Sequence, residues 1–365
     1  MTSLHTLCEQ LAATAIERDR EGGLPKRERD LIRASGLLKL TVPTRFGGDG
    51  QPISAMLDAV RTIARVDPAL AHVFAFHHLM LYSVRLYASE QQWSVVYREA
   101  ADGRTFWGNA LNPKDPRTQL RKHGDGYLLD GSKSFCSGAG DSDRLIVSAQ
   151  YDGKLVVAMV PTRRAGITVR GDWDAIGQRQ TDSGTVDFSA LAIHEHELLR
   201  TPGPLGSVFA GLRSCIAQAI LVHVYLGIAE GAFAELRHVK GPSTIQRLRA
   251  GELYVALEAA AALAERARAS LDASWTREEA LTPEERARAS VAITLAKVAT
   301  TRAGLDVTTR FFELLGARSA LRPASLDRYF RNLRTHTLHD PVDEKLTELG
   351  AFALEGTAPT PGFYS

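Results

Sequence analysis

At 365 residues, 44% hydrophobic and 24% charged, the chain has room for two or three domains, each with its own core. Its 44 Lys and Arg nearly balance 42 Asp and Glu, and the charges are scattered, so no nucleic acid or other polyanion is an expected partner. Cys8, Cys136 and Cys215 form neither metal spacing nor a disulfide framework, acidic residues interrupt the first positions, and no apolar run approaches the roughly eighteen residues of a membrane span, so we expect a cytoplasmic protein.

Residues 1–104 read as a helical domain. Leu4, Leu7, Leu11 and Ile16 give one apolar face, and a second helix opens after Leu24-Pro25 and closes at Gly36. A glycine-rich connector, 40–50, leads to helices over 53–66 and 68–87, and Ser89 with Gln92 forms a capping box for another. From 105 to 203 the period shortens: segments 127–133, 145–150, 154–160, 166–169 and 185–188 are turn-bounded and rich in Val, Ile and Leu, at sandwich or barrel spacing. From 204 to 365 long helices return, over 205–239, 243–273, 283–315 and 325–350, with Thr282-Pro283-Glu-Glu285 a strong start and Gly316 a stop. Four such helices pack naturally as an antiparallel bundle.

The last helix carries Arg331-Asn-Leu-Arg-Thr-His-Thr-Leu-His-Asp-Pro-Val342. His336 and His339 fall on one helical face, Asp340 follows, and Pro341 must kink or end the helix there. A helix C-terminus whose histidines merely complement the dipole is the plain account. His336, His339 and Asp340 also contain the pieces of a two-His-one-carboxylate site, but their spacing before a proline does not converge on one ion, so no metal is expected.

The order helices, β domain, four-helix bundle resembles the acyl-CoA dehydrogenase superfamily over the whole chain. The motifs that carry it are the connector 40–50, Gly131-Ser-Lys-Ser-Phe-Cys-Ser137, Ile176-Gly-Gln-Arg-Gln-Thr-Asp-Ser183 and the corner at His339-Asp-Pro-Val342, which falls on the family's base-bearing "Y-E-G-T". The fold class implied is α+β multidomain: an N-terminal helical domain, a middle β-barrel or sandwich, and a C-terminal four-helix bundle. Asp340 in place of the longer Glu, and Trp107-Gly-Asn-Ala-Leu-Asn-Pro-Lys in place of "T-E-P-x-A-G-S-D", depart from a dehydrogenase. Together with Thr335-His-Thr-Leu-His-Asp-Pro-Val and Trp173-Asp-Ala-Ile-Gly-Gln-Arg-Gln-Thr-Asp-Ser-Gly, they look like the flavin monooxygenases of the dibenzothiophene and dimethylsulfone type.

That resemblance implies a two-component enzyme. An NAD(P)H–flavin reductase supplies reduced FMN, and O2 forms a flavin C4a-hydroperoxide that hydroxylates or S- or N-oxygenates a small apolar substrate. It places His339, Asp340 and His336 over the flavin, Ser137 near N5 or O4, and Phe135, Asn112 and Trp173 around the ring. His78 and Tyr82, one turn apart, would line the substrate pocket. Arg237, in a changed "R-x-x-F-G", and Arg318, after a changed "Q-I-L-G-G", would hold a terminal phosphate where FAD continues to AMP, which favours FMN over FAD. The alternatives are a divergent FAD-containing acyl-CoA dehydrogenase with Asp340 as base, and a non-catalytic flavin-fold ligand-binding protein. A homo-oligomer, most simply a tetramer, is expected in each case.

Overall fold

The computed structural model describes residues 3–365. Six helices open the chain: α1 (Leu4–Ala12), α2 (Ala15–Glu21), α3 (Lys26–Ser35), α4 (Ile53–Ala64), α5 (Pro68–Tyr87) and α6 (Glu90–Ala100). The continuous face expected over 4–16 breaks into two helices at Ala13 and Thr14. Helix α5 has the expected ends because Asp67 caps it by accepting from the Leu70 N–H, and Pro68 fills the first turn. The reciprocal capping box of Ser89 and Gln92 starts α6.

Seven strands follow: β1 (Trp107–Ala110), β2 (Gln119–His123), β3 (Gly126–Lys133), β4 (Arg144–Tyr151), β5 (Lys154–Pro161), β6 (Ile167–Val169) and β7 (Val186–Ile193). They form one curled sheet in the order β1-β4-β2-β3-β7-β6, with β5 paired to β4. Strands β1 and β2 escape sequence inspection for opposite reasons: every residue of β1 is buried, so nothing alternates, whereas β2 is almost wholly exposed. A bulge at Asp130 and Gly131 breaks the register of β3 against β7, and a Cβ at Gly131 would lie 2.1 Å from the Arg117 carbonyl oxygen.

The bundle comprises α7 (Leu212–Ala234), α8 (Thr244–Trp275), α9 (Pro283–Leu315), α10 (Asp327–Thr337) and α11 (Val342–Glu355). Helix α7 starts later than residue 205 because Leu205 has positive φ and glycines at 203, 206 and 211 surround it. By length and composition α7 is apolar enough to cross a bilayer, and its burial inside the bundle accounts for that composition. Pro341 divides the last segment into α10 and α11, leaving a corner at residues 338–341.

The sheet meets the bundle through the loop between β6 and β7. The Gln178 N–H donates to Asn332 Oδ1, Gln178 Nε2 donates to the Asn332 carbonyl at 3.2 Å, and Arg331 Nη1 donates to the Ile176 carbonyl at 2.8 Å. Gly177 permits this approach, since a Cβ there would sit 2.1 Å from the Arg331 carbonyl oxygen. Gly177→Ala should therefore push the loop off α10 and lower stability by about 1–3 kcal/mol. Chemical denaturation measures this, and an unchanged midpoint would refute the close fit.

Candidate active site

A cavity of about 660 Å³ lies where α5, the loops of the sheet, the start of α7 and the corner after α10 converge. That is within the range of a ligand pocket, and its walls are mostly apolar. Helix α5 presents His72, Phe76 and Leu79 to it, at the i, i+4, i+7 spacing of one face.

This corrects the expectation for His78 and Tyr82. On a helix buried on nearly every side, both face away from the cavity. His78 bonds Thr41 Oγ1 at 3.1 Å and the Leu37 carbonyl at 3.2 Å, pinning the connector to α5, and Tyr82 packs edge-on against Trp275. The His72 face was missed because burial all round removes the polar–apolar contrast that would mark it.

His72 Nε2 lies 2.8 Å from Ser137 Oγ, Ser137 Oγ lies 2.8 Å from Ser183 Oγ, Ser183 donates to Thr181 Oγ1 at 2.7 Å, and Thr181 donates to the Gln178 carbonyl at 2.9 Å. A carbonyl only accepts, so the direction of the whole row is fixed. Thr181 spends its proton on Gln178, Ser183 spends its own on Thr181, and Ser137 must donate to Ser183. His72 then donates from Nε2, leaving its Nδ1 without a partner. Ser137 shows the cavity a lone pair and no free hydroxyl hydrogen. Its backbone N–H turns back to the Phe135 carbonyl at 3.1 Å.

Phe135 is held at φ 60° and is 61% exposed, with its ring 6.1 Å from that of Trp173. The bare aromatic face is the kind of surface that a flat ligand covers. Trp173 is fixed by donating Nε1–H to the Gln178 carbonyl at 2.8 Å, and Asn112 lines the same side. Phe135, Trp173 and Asn112, with Ser137, supply the aromatic and hydrogen-bonding surface that suits an isoalloxazine ring.

Opposite stand the imidazoles of the corner. His336 meets His72 edge-on at 4.7 Å, and His339 lies 5.9 Å from the Tyr364 ring. Burial pushes His72 down to about 3, His336 well below the usual imidazole range, and His339 to about 4, with Lys297 adding to the last two. His339 is exposed by surface area and lines the cavity, and the protein packed around it still desolvates the ring. All three rings are neutral near pH 7.

Asp340 does not stand with His336 and His339 at the cavity, where the resemblance placed it. It is buried, does not line the cavity, and accepts from Gln218 Nε2 at 2.7 Å. Behind the corner Tyr225 donates to the His336 carbonyl at 2.9 Å and receives Lys297 Nζ at 3.3 Å. Burial lowers Lys297 to about 7 against the opposing pull of Asp340. Arg237 and Arg318 sit in short turns after α7 and α9, outside the lining of this cavity. The sequence also passed over Gln178, Thr181, Ser183, Arg213, Gln218 and Tyr364. Their single polar side chains acquire meaning only when loops distant in sequence meet.

The chain matches the family models described as acyl-CoA dehydrogenase N-terminal, middle and C-terminal domains over residues 3–104, 109–191 and 219–344. It is 48% identical to a Pseudomonas putida protein named "Probable FMNH2-dependent monooxygenase SfnC", covering 98% of this chain and 95% of that one. The methanesulfinate monooxygenase MsuC from Pseudomonas fluorescens superposes with a TM-score of 0.97 at 48% identity, covering 99% and 98% of the two chains. FMN-bound TdsC from Paenibacillus sp. A11-2 gives 0.94 at 37% identity over 99% and 98%.

The buried imidazoles set an acid limit. His72, His77 and His223 are held at about 3, 4 and 4, whereas an unfolded histidine titrates near ~6.5. As pH falls below ~6.5 the unfolded chain takes up protons that the folded chain refuses, so stability is full above that value and drains away towards pH ~4. Urea midpoints should be level from about pH 8 to 7 and then fall. Midpoints that stay level or rise on acidification would show these rings are not buried neutral.

Proposed function

The chain belongs to the acyl-CoA dehydrogenase family, on the branch of its flavin monooxygenases, and on that premise we propose that it oxygenates a small organosulfur compound with reduced FMN and dioxygen. Reduced FMN comes from a separate NAD(P)H–flavin reductase in the cytoplasm. One oxygen atom of O2 enters the substrate and the other leaves as water, with two electrons and two protons from the reduced cofactor. The homo-oligomeric state stays part of the reading, and α8 offers Ile245, Leu248 and Val255 as an exposed apolar stripe for a second copy.

The observation that carries this reading is the direction of the hydroxyl row. Bound reduced flavin supplies the electrons that activate dioxygen, and its ring bears an N–H at N5 where the oxidised ring bears a lone pair. Ser137, with its hydrogen committed to Ser183, can accept from that N–H and has nothing to offer the oxidised ring. Phe135 and Trp173 would flank the ring, with Asn112 at its edge. Phe76, Leu79 and Leu221 keep water from the reacting atoms. His339 and His336, neutral near pH 7, can each take up a proton at a free ring nitrogen and return it. The dehydrogenase alternative needs Asp340 at the substrate, and its carboxylate is instead turned to Gln218.

Anaerobic titration with FMNH2, followed by an oxygen pulse in the presence of methanesulfinate or dibenzothiophene, tests the function. Oxygen-dependent product is expected, and tightly held FAD bleached by acyl-CoA without oxygen would overturn it. His339→Ala should cut product formation by about 10²–10³-fold while FMN binding holds. Ser183→Ala frees the Ser137 hydrogen and should strengthen oxidised FMN binding by about fivefold, with little change for FMNH2, in flavin-fluorescence titrations. Equal effects on both redox forms would refute the assigned direction.

A further inference from the structure

Arg213 occupies the second position of α7, at the positive end of that helix's dipole. It is 6% exposed and lines the cavity. Its Nε donates to Ser83 Oγ at 3.1 Å, while Ser83 spends its own hydrogen on the Leu79 carbonyl. Among the described residues neither terminal nitrogen of Arg213 has a hydrogen-bond partner, and no carboxylate makes a salt bridge with it. None of the lining side chains is acidic; Asp340, outside the lining, gives one oxygen to Gln218, and the C-terminal Ser365 is held by Ser214 and Arg286. A buried guanidinium without a counter-ion is costly, and a fold has reason to keep one only if a ligand brings the negative charge.

We infer that Arg213 is the anion-recognition residue of the substrate site, receiving the oxyanion head of a small organic sulfinate. The inference rests on the oxygenase reading and narrows its substrate to an anion. Phe135 and Ile176, 61% and 62% exposed, are the open part of the lining, and Arg213 is its buried cation. Lys114, exposed and stacked 4.3 Å over Tyr364, adds positive charge to the wall, and His339 lies 5.9 Å from the same tyrosine ring. A planar guanidinium matches two sulfinate oxygens at once and leaves the sulfur lone pair free. That lone pair is where the new S–O bond forms: RSO2⁻ gains one oxygen atom from O2 to become RSO3⁻, and the second atom leaves as water on oxidation of the reduced flavin. Leu79, Ala217 and Leu221 leave apolar room for a short alkyl group.

The flavin's own phosphate is an oxyanion too, so the test must separate the two. Calorimetric titrations of the full chain with oxidised FMN present compare methanesulfinate with neutral dimethylsulfone, and separate titrations compare FMN with riboflavin, which lacks the phosphate. Arg213→Gln should weaken methanesulfinate binding about 30-fold and leave dimethylsulfone and FMN within about twofold. Arg213→Lys, which keeps the charge but loses the fork, should fall between. The Gln variant should melt at the same temperature or higher, because a buried unpaired charge has been removed. The assignment is overturned by unchanged methanesulfinate affinity, by a wild-type chain that binds the sulfone as well as the sulfinate, by a lowered melting temperature, or by FMN affinity falling while riboflavin affinity holds. The last result would give Arg213 to the phosphate. If wild-type protein binds neither FMN nor FMNH2, the oxygenase reading itself is at fault.

Discussion

The carbonyl of Gln178 is the constraint on which the site depends. It accepts at once from the indole of Trp173 and the hydroxyl of Thr181, and its own residue is clamped to Asn332 on α10. Because a carbonyl cannot donate, every hydroxyl behind it is forced to point one way, as far as the imidazole of His72. Gln178 itself has positive φ, a conformation a non-glycine residue holds only when its surroundings over-determine it. The joint between sheet and bundle therefore also sets the hydrogen-bond polarity of the cavity wall.

The second theme is charge. The cavity is bordered by three imidazoles that burial keeps neutral, and behind them lies Lys297, whose proton burial also loosens. Positive charge is expensive here, yet Arg213 stands in the wall with only one neutral partner. The arrangement suits small neutral proton carriers in a water-poor space, with permanent charge in the wall confined to Arg213 and to Lys114 over Tyr364.

Much of this was legible in the sequence. Caps and prolines at Asp67-Pro68, Ser89, Thr282-Pro283 and Pro341 located helix ends, because they act through local backbone hydrogen bonds. Ser137, Phe135, Trp173, Asn112, His336 and His339 came from motifs, and the fold brings all six to one cavity. Asp340 failed to join them because its carboxylate turns to Gln218 behind the corner, and His78 and Tyr82 because they came from spacing on α5. Spacing shows which residues share a face, but it does not show which face meets the cavity, and α5 is buried on nearly all sides. Likewise the isolation of Arg213 is a statement about what surrounds it, which no local pattern contains.

The one-way hydroxyl row has an electrochemical consequence. Any preference of a site for the reduced form of a carrier must appear, through a thermodynamic cycle, as a more positive midpoint potential of the bound carrier than of the free one. Each tenfold of preference is worth roughly 30 mV for a two-electron couple. On the proposed reading, the carbonyl of one glutamine, by deciding where a serine hydrogen points, would weaken the held flavin as a reductant, and the spent cofactor would be the form that the pocket releases more readily.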